Sequence, residues 1–101
     1  MYVVTVEFKI DTAHWEAFLP LMLENAARSR DDEPGCRQFD VCIDVCTDES
    51  RPATVFLYEL YDDRAAFDAH LASSHFREFA AATSAMILQR SVLMWTRISG
   101  S

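Results

Sequence analysis

The sequence predicts an α+β fold in which helices cover one face of an antiparallel sheet. Three observations support this prediction. The chain has 101 residues, enough for one domain with one core. Half of its residues are hydrophobic and only two are glycine, a composition typical of a compact protein. Segments with the two-residue period of strands alternate with segments of helical period. We therefore expect residues 1–101 to form a single domain.

The first two elements are a strand and a long helix. Residues 2–10 alternate between apolar and polar side chains and predict the first strand. Asp11 or Thr12 can cap a helix that continues to about Arg30, because apolar residues recur there at helical spacing. Pro20 lies inside this segment and predicts a kink or a late helix start, since proline removes one backbone donor.

Two further strands follow a break in the chain. Glu33-Pro34-Gly35 ends the helix, and residues 39–45 then alternate again, which predicts the second strand. The polar residues 47–52 predict a hairpin loop. Residues 54–61 are rich in β-branched and aromatic side chains on both faces and predict a third strand that is covered on both sides.

The last third of the chain predicts two short helices and a fourth strand. Asp62 or Asp63 can cap the first helix and Ser73 or Ser74 the second, because these side chains accept hydrogen bonds from free amides of a first turn. Residues 91–98 predict the final strand. The order β-α-β-β-α-β, with the second α position divided into two helices, is that of ferredoxin-like folds, which leave one face of the sheet open.

The open face of the sheet predicts a second subunit. The third strand has no polar face, and leaving apolar surface in water costs about 25 cal/mol per Å² and favours aggregation. Two-fold symmetry is the commonest way to cover such a surface. We therefore expect a homodimer that packs sheet to sheet.

Charge and cysteine content exclude several classes of partner. Nine basic residues against sixteen acidic ones give a net charge of −7, which disfavours nucleic acid and anionic membranes. No apolar run approaches the roughly 18 residues that cross a bilayer, and the first residues lack a signal-peptide pattern. Cys36, Cys42 and Cys46 are odd in number and lack zinc-site spacing, so we expect free thiols and a cytoplasmic protein.

Three ionisable residues lie in apolar surroundings: Glu59 in the third strand, His70 in the first late helix and His75 in the second. Helices that pack back over the sheet can bring them together. A histidine with a pKa near 6.5 could take a proton from an acidic hydroxyl or carbon acid, oriented by a carboxylate. The alternatives are structural ion pairing and a metal site formed by all three residues.

A pocket around these residues would be apolar and largely aromatic. Its expected aromatic lining would suit a flat ligand, although aromatic residues at helical spacing also serve as ordinary core. The expected substrate contacts are Phe39, Val41, Leu57, Phe67, Phe76, Phe79 and Trp95, with Tyr61 nearby. No motif for a dinucleotide, a nucleoside triphosphate, a serine hydrolase or a zinc protease occurs.

Several short motifs occur together in one order. E-P-G-C at 33–36 precedes F-D-V at 39–41, F-L-Y-E-L-Y-D at 56–62 and A-A-F-x-x-H-x-x-x-S-H-F at 65–76. In this order and spacing they resemble the antibiotic biosynthesis monooxygenase family of small dimeric domains. The resemblance covers about residues 2–98.

The resemblance implies a dimeric α+β barrel of ferredoxin-like subunits, joined in part through the last strand. Similar members include quinol monooxygenases, which oxidise polycyclic phenols or quinols with O₂ and use no metal, flavin or nicotinamide. By this resemblance His70 or His75 would be the general base and Glu59 would orient it. Tyr61 would donate a hydrogen bond to the developing oxyanion.

Two other functions remain as alternatives. The family also includes an isomerase of a phosphorylated, autoinducer-derived dione that shares the Y-E-x-Y and paired-histidine pattern. Its phosphate would need cationic contacts, for which Arg64, Arg77 and Arg90 are the available residues. The third function is that of a small-molecule binding module without catalysis.

Overall fold

A computed structural model describes residues 1–45 and 53–100 of the chain. The elements are β1 (Tyr2–Ile10), a short 3-10 helix (Thr12–His14), α1 (Trp15–Asp32), β2 (Cys36–Ile43), β3 (Ala53–Tyr61), α2 (Arg64–Ala72), α3 (Ser74–Thr83) and β4 (Ile87–Thr96). The four strands form one antiparallel sheet in the order β2-β3-β1-β4. The predicted ferredoxin-like α+β fold is therefore confirmed. The predicted loop at 47–52 and Cys46 lie outside the described residues.

Several boundaries differ from those predicted. Helix α1 begins at Trp15, five residues before Pro20, so of the two outcomes predicted at Pro20, a kink or a late start, the late start does not occur. Asp11 caps the 3-10 helix instead, since its Oδ1 accepts from the Ala13 amide at 3.0 Å. Strand β4 begins at Ile87 and not at residue 91, because its polar middle hid the start of the pairing with β1. In the described part of the chain, no helix has the length and hydropathy needed to span a bilayer.

The core lies between the sheet and the helices. Side chains that point to this side from β1 and α1 are fully or almost fully buried, and they include Val4, Phe8, Phe18 and Met22. The rings of Phe8, Phe18 and Phe79 pack together with centroids 5.7 to 6.4 Å apart, mostly edge to face. This cluster attaches α1 and α3 to the centre of the sheet, because it joins one residue from each of three elements.

Gly35 sets how closely α2 approaches the sheet. A Cβ atom at this position would lie 2.5 Å from the Cβ of Ala66, so only glycine fits without a shift of α2. The Gly35 carbonyl accepts a hydrogen bond from the Asp62 amide at 2.9 Å, and Arg37 binds the Asp62 carboxylate through two nitrogens. The turn before β2 is therefore tied to the start of α2, the helix that carries His70.

The other face of the sheet is open and apolar in places. Phe56, Leu93 and Trp95 are 40%, 56% and 52% exposed there, and the Trp95 indole donates to Thr5 Oγ1 at 3.0 Å. Strand β4 is an edge strand, and its residues after Ile87 are exposed. The structure contains one chain, and the expected second subunit stays a prediction.

Candidate active site

A cavity of about 270 Å³ lies between the sheet and the helices. Its sheet side is formed by alternate residues of the strands, among them Val4, Val6, Phe8, Leu57 and Met94. Its helix side is formed mainly by Phe67, Leu71, Phe76 and Phe79. Glu59 and His70 are the two acid–base groups on its wall. The cavity therefore combines an apolar interior with a small number of polar groups, as ligand sites commonly do.

His70 is in the last turn of α2 and is 3% exposed. Its Nδ1 lies 2.9 Å from Glu33 Oε2, and its Nε2 lies 4.0 Å from Glu59 Oε1. A carboxylate accepts the proton of Nδ1–H, which leaves the lone pair of Nε2 on the cavity side. Burial lowers the pKa of His70 below its usual 6.5, although Glu33 opposes this effect. The lowered pKa favours the neutral imidazole, and the contact of Nδ1 with Glu33 orients it as a proton acceptor.

Glu33 is the acidic group that holds both histidines. It caps the C-terminus of α1, and its Oε2 is also 2.5 Å from His75 Nε2. Its Oε1 is buried and has no hydrogen-bond partner among the described residues. From the sequence, Glu33-Pro34-Gly35 predicts a helix stop, and Glu33 is not among the predicted site residues. The signal was its place in the E-P-G-C motif, which comes directly before the strand that carries Phe39.

His75 joins the same cluster but does not line the main cavity. Its Nε2 lies 3.2 Å from Ser73 Oγ as well as close to Glu33. The ring borders a separate cleft of about 140 Å³, together with Arg28 and Glu78. The structure thus brings both predicted bases together through Glu33, and it places only His70 against the cavity.

Glu59 is buried among apolar neighbours in β3. It lies opposite Val4 and Phe39 in the two strand pairings and is 3% exposed. Burial raises its pKa from 4.5 to about 7, a shift that the negative charge of Glu33 increases and the hydrogen bond from Tyr61 reduces. Near neutral pH the carboxyl group is therefore populated in both its protonated and its ionised form.

Residues 1–82 of the chain match the family model described as antibiotic biosynthesis monooxygenase. The chain belongs to this family. Among solved structures, it is similar to a protein of Nitrosomonas europaea named as a candidate antibiotic biosynthesis monooxygenase, with 26% identity and a TM-score of 0.88. That comparison covers 98% of this chain and 100% of the other.

Other solved structures give the same result. One described as an antibiotic biosynthesis monooxygenase has 27% identity and a TM-score of 0.82, over 98% of this chain and 100% of that one. PA3566 from Pseudomonas aeruginosa shares the fold at 23% identity and a TM-score of 0.83, over 97% and 94% of the two chains. A comparison with curated proteins found no match.

Two predicted site residues of this family member lie elsewhere than expected. Trp95 lies on the open face of the sheet, opposite Val3 in register, and so does not line the cavity. The Tyr61 hydroxyl donates to Glu59 Oε1 at 2.5 Å. Burial, together with the charge of Glu59, raises the pKa of Tyr61 well above its usual value of 10. The one proton of the Tyr61 hydroxyl is therefore bound to Glu59, and Tyr61 is not part of the cavity wall.

The remaining predicted contacts divide between the cavity wall and the core behind it. Five of them line the cavity: Phe39, Leu57, Phe67, Phe76 and Phe79. Val41 packs against the core without reaching the cavity. Three residues of β4 also line the cavity, Arg90, Val92 and Met94, because they share the helix-facing side with Val4 and Val6. The sequence predicts Arg90 only as a phosphate contact of the alternative isomerase, and it does not assign Val92 or Met94 to the site.

Glu33, His70 and His75 also form the only group of potential metal donors in the described ranges, with ligand atoms within 4.8 Å of one another. The metal alternative considered from the sequence used Glu59, and the structure places Glu33 in that position instead. Two nitrogens and one carboxylate oxygen are donors that divalent transition metals accept. In this cluster both histidine nitrogens are hydrogen-bonded to the same oxygen, Glu33 Oε2.

Cys36 is near this cluster but is not a reactive thiol. Burial raises its pKa to about 12, and the charges of Glu33 and Glu59 add to the effect. Cys36 and the exposed Cys42 are both free, as the sequence predicts.

Proposed function

We propose that the protein is a monooxygenase that oxidises a hydroxylated aromatic compound, such as a quinol or a phenol, with O₂. His70 is the general base. The observation that carries this proposal is the placement of His70 Nε2 at the wall of an aromatic cavity, with Nδ1 held by Glu33. Membership of the antibiotic biosynthesis monooxygenase family supports the reaction class, and the aromatic walls support the substrate class.

The reaction begins with transfer of the substrate hydroxyl proton to His70 Nε2. Glu33 stabilises the imidazolium that forms, because its carboxylate accepts the Nδ1 proton at 2.9 Å. The electron-rich substrate anion then reduces O₂ by one electron, and the two radicals combine to form a carbon–oxygen bond.

Protonation of the resulting peroxide gives a hydroperoxide, which loses water and leaves a carbonyl. One oxygen atom enters the product, and the other leaves as water with two substrate hydrogens. Glu59 lies 4.0 Å from His70 and has a pKa of about 7, so it is suited to donate the proton that the peroxide needs. The proton that His70 took from the substrate then passes to Glu59, which restores both residues.

Oxygen uptake by purified protein tests this proposal. Anthrone and 1,4-dihydroxynaphthalene are the probe substrates, and mass spectrometry with ¹⁸O₂ follows one labelled oxygen into the product. We expect turnover that chelators leave unchanged and that His70→Ala lowers about 100-fold or more. His14→Ala is the matched control, because His14 lies in the 3-10 helix away from the cavity. Turnover that survives in His70→Ala contradicts the assignment of the base.

A cofactor-free isomerase is the second candidate function. The pairing of a neutral imidazole with a carboxyl group of pKa about 7, at 4.0 Å, favours it, because the two can remove and return a proton. Under nitrogen, such an enzyme would exchange deuterium into a phosphorylated dione and form its isomer. A binding module would retain ligands without either reaction.

We further propose that the protein works as a cytoplasmic homodimer in which a second copy covers the open face. The exposed apolar residues Phe56, Leu93 and Trp95 of the open face support this arrangement. Light scattering after gel filtration should give twice the mass of one chain. The mass of a single chain at micromolar concentration would contradict the dimer.

A further inference from the structure

We propose that Arg90 selects substrates that carry an anionic group at the end remote from the reacting hydroxyl. This inference rests on the proposed function, since it names the substrate class of the same site. It starts from the one arginine or lysine side chain that lines the main cavity in the described part of the chain.

Arg90 lies where two cavities adjoin. Its partner across the β1–β4 pairing is Phe8, which points to the helix side of the sheet. Arg90 lines the main cavity and also a neighbouring one of about 230 Å³, and the two cavities share Phe8, Phe76 and Phe79. Arg90 therefore borders two adjoining cavities with aromatic walls, one of which reaches His70 and the other Thr83 and Ile87.

Within residues 1–45 and 53–100, no acidic side chain neutralises the charge of Arg90. No ion pair joins it to another described residue, although the chain as a whole carries a net charge of −7. The only acidic residue on the wall of either cavity, within the described residues, is Glu59. Arg90 is an exposed residue of β4 that also lines both cavities. A guanidinium can bind a carboxylate through two parallel hydrogen bonds.

The strand register separates Arg90 from the acid–base groups. On β1, Val4 pairs with Glu59 of β3 and Phe8 pairs with Arg90 of β4. Glu59 and Arg90 are therefore offset by four residues along the strand direction and lie on the two strands that flank β1. At about 3.3 Å per residue and about 4.8 Å per strand, their Cα atoms are roughly 16 Å apart. Both side chains reach inward from these ends. The geometry fits an elongated molecule with its hydroxyl at His70 and its anion at Arg90.

Binding of three naphthalene probes tests the inference. 6-Hydroxy-2-naphthoate has its hydroxyl and carboxylate at opposite ends of the rings, 2-naphthol lacks the carboxylate, and 3-hydroxy-2-naphthoate has the two groups side by side. Ligand fluorescence gives each Kd. We expect the wild type to bind the first probe about tenfold or more tightly than the other two, as a charge-assisted contact provides.

Two arginine variants separate this contact from general charge effects. Arg90→Gln should reduce the preference to about twofold or less, whereas Arg77→Gln should keep it, because Arg77 is exposed on α3 and lines neither cavity. The methyl ester of the first probe gives a second measurement on the unaltered protein, and it should bind no better than 2-naphthol.

The outcomes distinguish this inference from the proposed function. Equal affinity for 6-hydroxy-2-naphthoate and 2-naphthol overturns the role of Arg90 and leaves the oxidation chemistry untouched. The same holds if Arg90→Gln retains the preference. A charge preference without oxygen uptake from any quinol supports Arg90 and overturns the monooxygenase. No binding of any probe overturns both.

Discussion

The two faces of the sheet use the same strands for different purposes. On the helix-covered face, β3 presents Glu59, which is 3% exposed and part of a buried acid–base cluster. On the open face, the same strand presents Phe56, which is 40% exposed, and β4 presents Leu93 and Trp95. Charge is thus buried where a reaction would need it, and apolar surface is exposed where a partner would cover it. The difference separates residues for chemistry from residues for association.

The largest stability effect that we expect on the covered face concerns Glu59. The pKa of Glu59 is about 7 in the folded protein, against 4.5 for an ordinary glutamate. Protonation of Glu59 therefore stabilises the folded state fully below pH 4.5, and this stabilisation is lost as pH rises through 7. The loss amounts to about 3 kcal/mol. Relative to wild type, Glu59→Gln should therefore gain this amount between pH 4.5 and 8, as measured by urea unfolding.

The comparison of the two proteins also removes the contribution of His70. The lowered pKa of His70 has the opposite effect on the free energy of unfolding. As pH falls below 6.5, His70 binds a proton more readily in the unfolded chain than in the folded protein, so stability decreases. His70 is present in both proteins, so its effect cancels. A stability difference that does not change with pH would show that folding does not shift the pKa of Glu59.

The next largest effect that we expect is on catalysis and concerns Glu33. It tests whether the helix-covered face is organised for proton transfer. Glu33→Gln removes the charge that raises the pKa of His70, so this pKa should fall further. We expect kcat/KM to drop about 10- to 100-fold and the acidic limb of the pH profile to move to lower pH. An unchanged pH profile would contradict the role of Glu33. Glu24→Gln, on the exposed side of α1, is the matched control.

A smaller effect concerns the joint between β2 and α2. Gly35→Ala should destabilise the protein by about 1 to 3 kcal/mol, because the new Cβ would lie 2.5 Å from Ala66 Cβ. Ala66→Gly in the same chain removes the opposing methyl group and should restore most of the loss, apart from the cost of glycine within a helix. Urea unfolding measures both. Destabilisation without rescue would show that the contact does not decide the position of α2.

The smallest effect on catalysis should come from the open face. Leu93→Lys places a charge on a surface that we expect to be covered, so it should lower the light-scattering mass to that of one chain. Turnover per chain should change by less than about twofold, since Leu93 lies opposite Thr5 and away from the cavity. If activity disappears along with the dimer, the separation of the two faces does not hold.

The fold was predictable because its strands and helices have clear periods, and the caps Asp63 and Ser73 confirm two predicted helix starts. The site was predictable only in part. Glu33 and His70 are 37 residues apart in the chain, and no local pattern connects them. Trp95 was assigned to the wrong face because β4 is apolar on both sides, so its alternation could not show which residues point to the helices.

Ser73 is the only residue between α2 and α3, and its hydroxyl serves both helices. It donates to the His70 carbonyl at 2.6 Å and accepts from the Phe76 amide at 3.3 Å. The helices cannot swing apart without breaking these bonds. By contrast, Val92 and Met94 border the cavity from an edge strand and are 39% and 55% exposed. We therefore expect substrate and product to enter and leave the cavity beside β4, past Arg90.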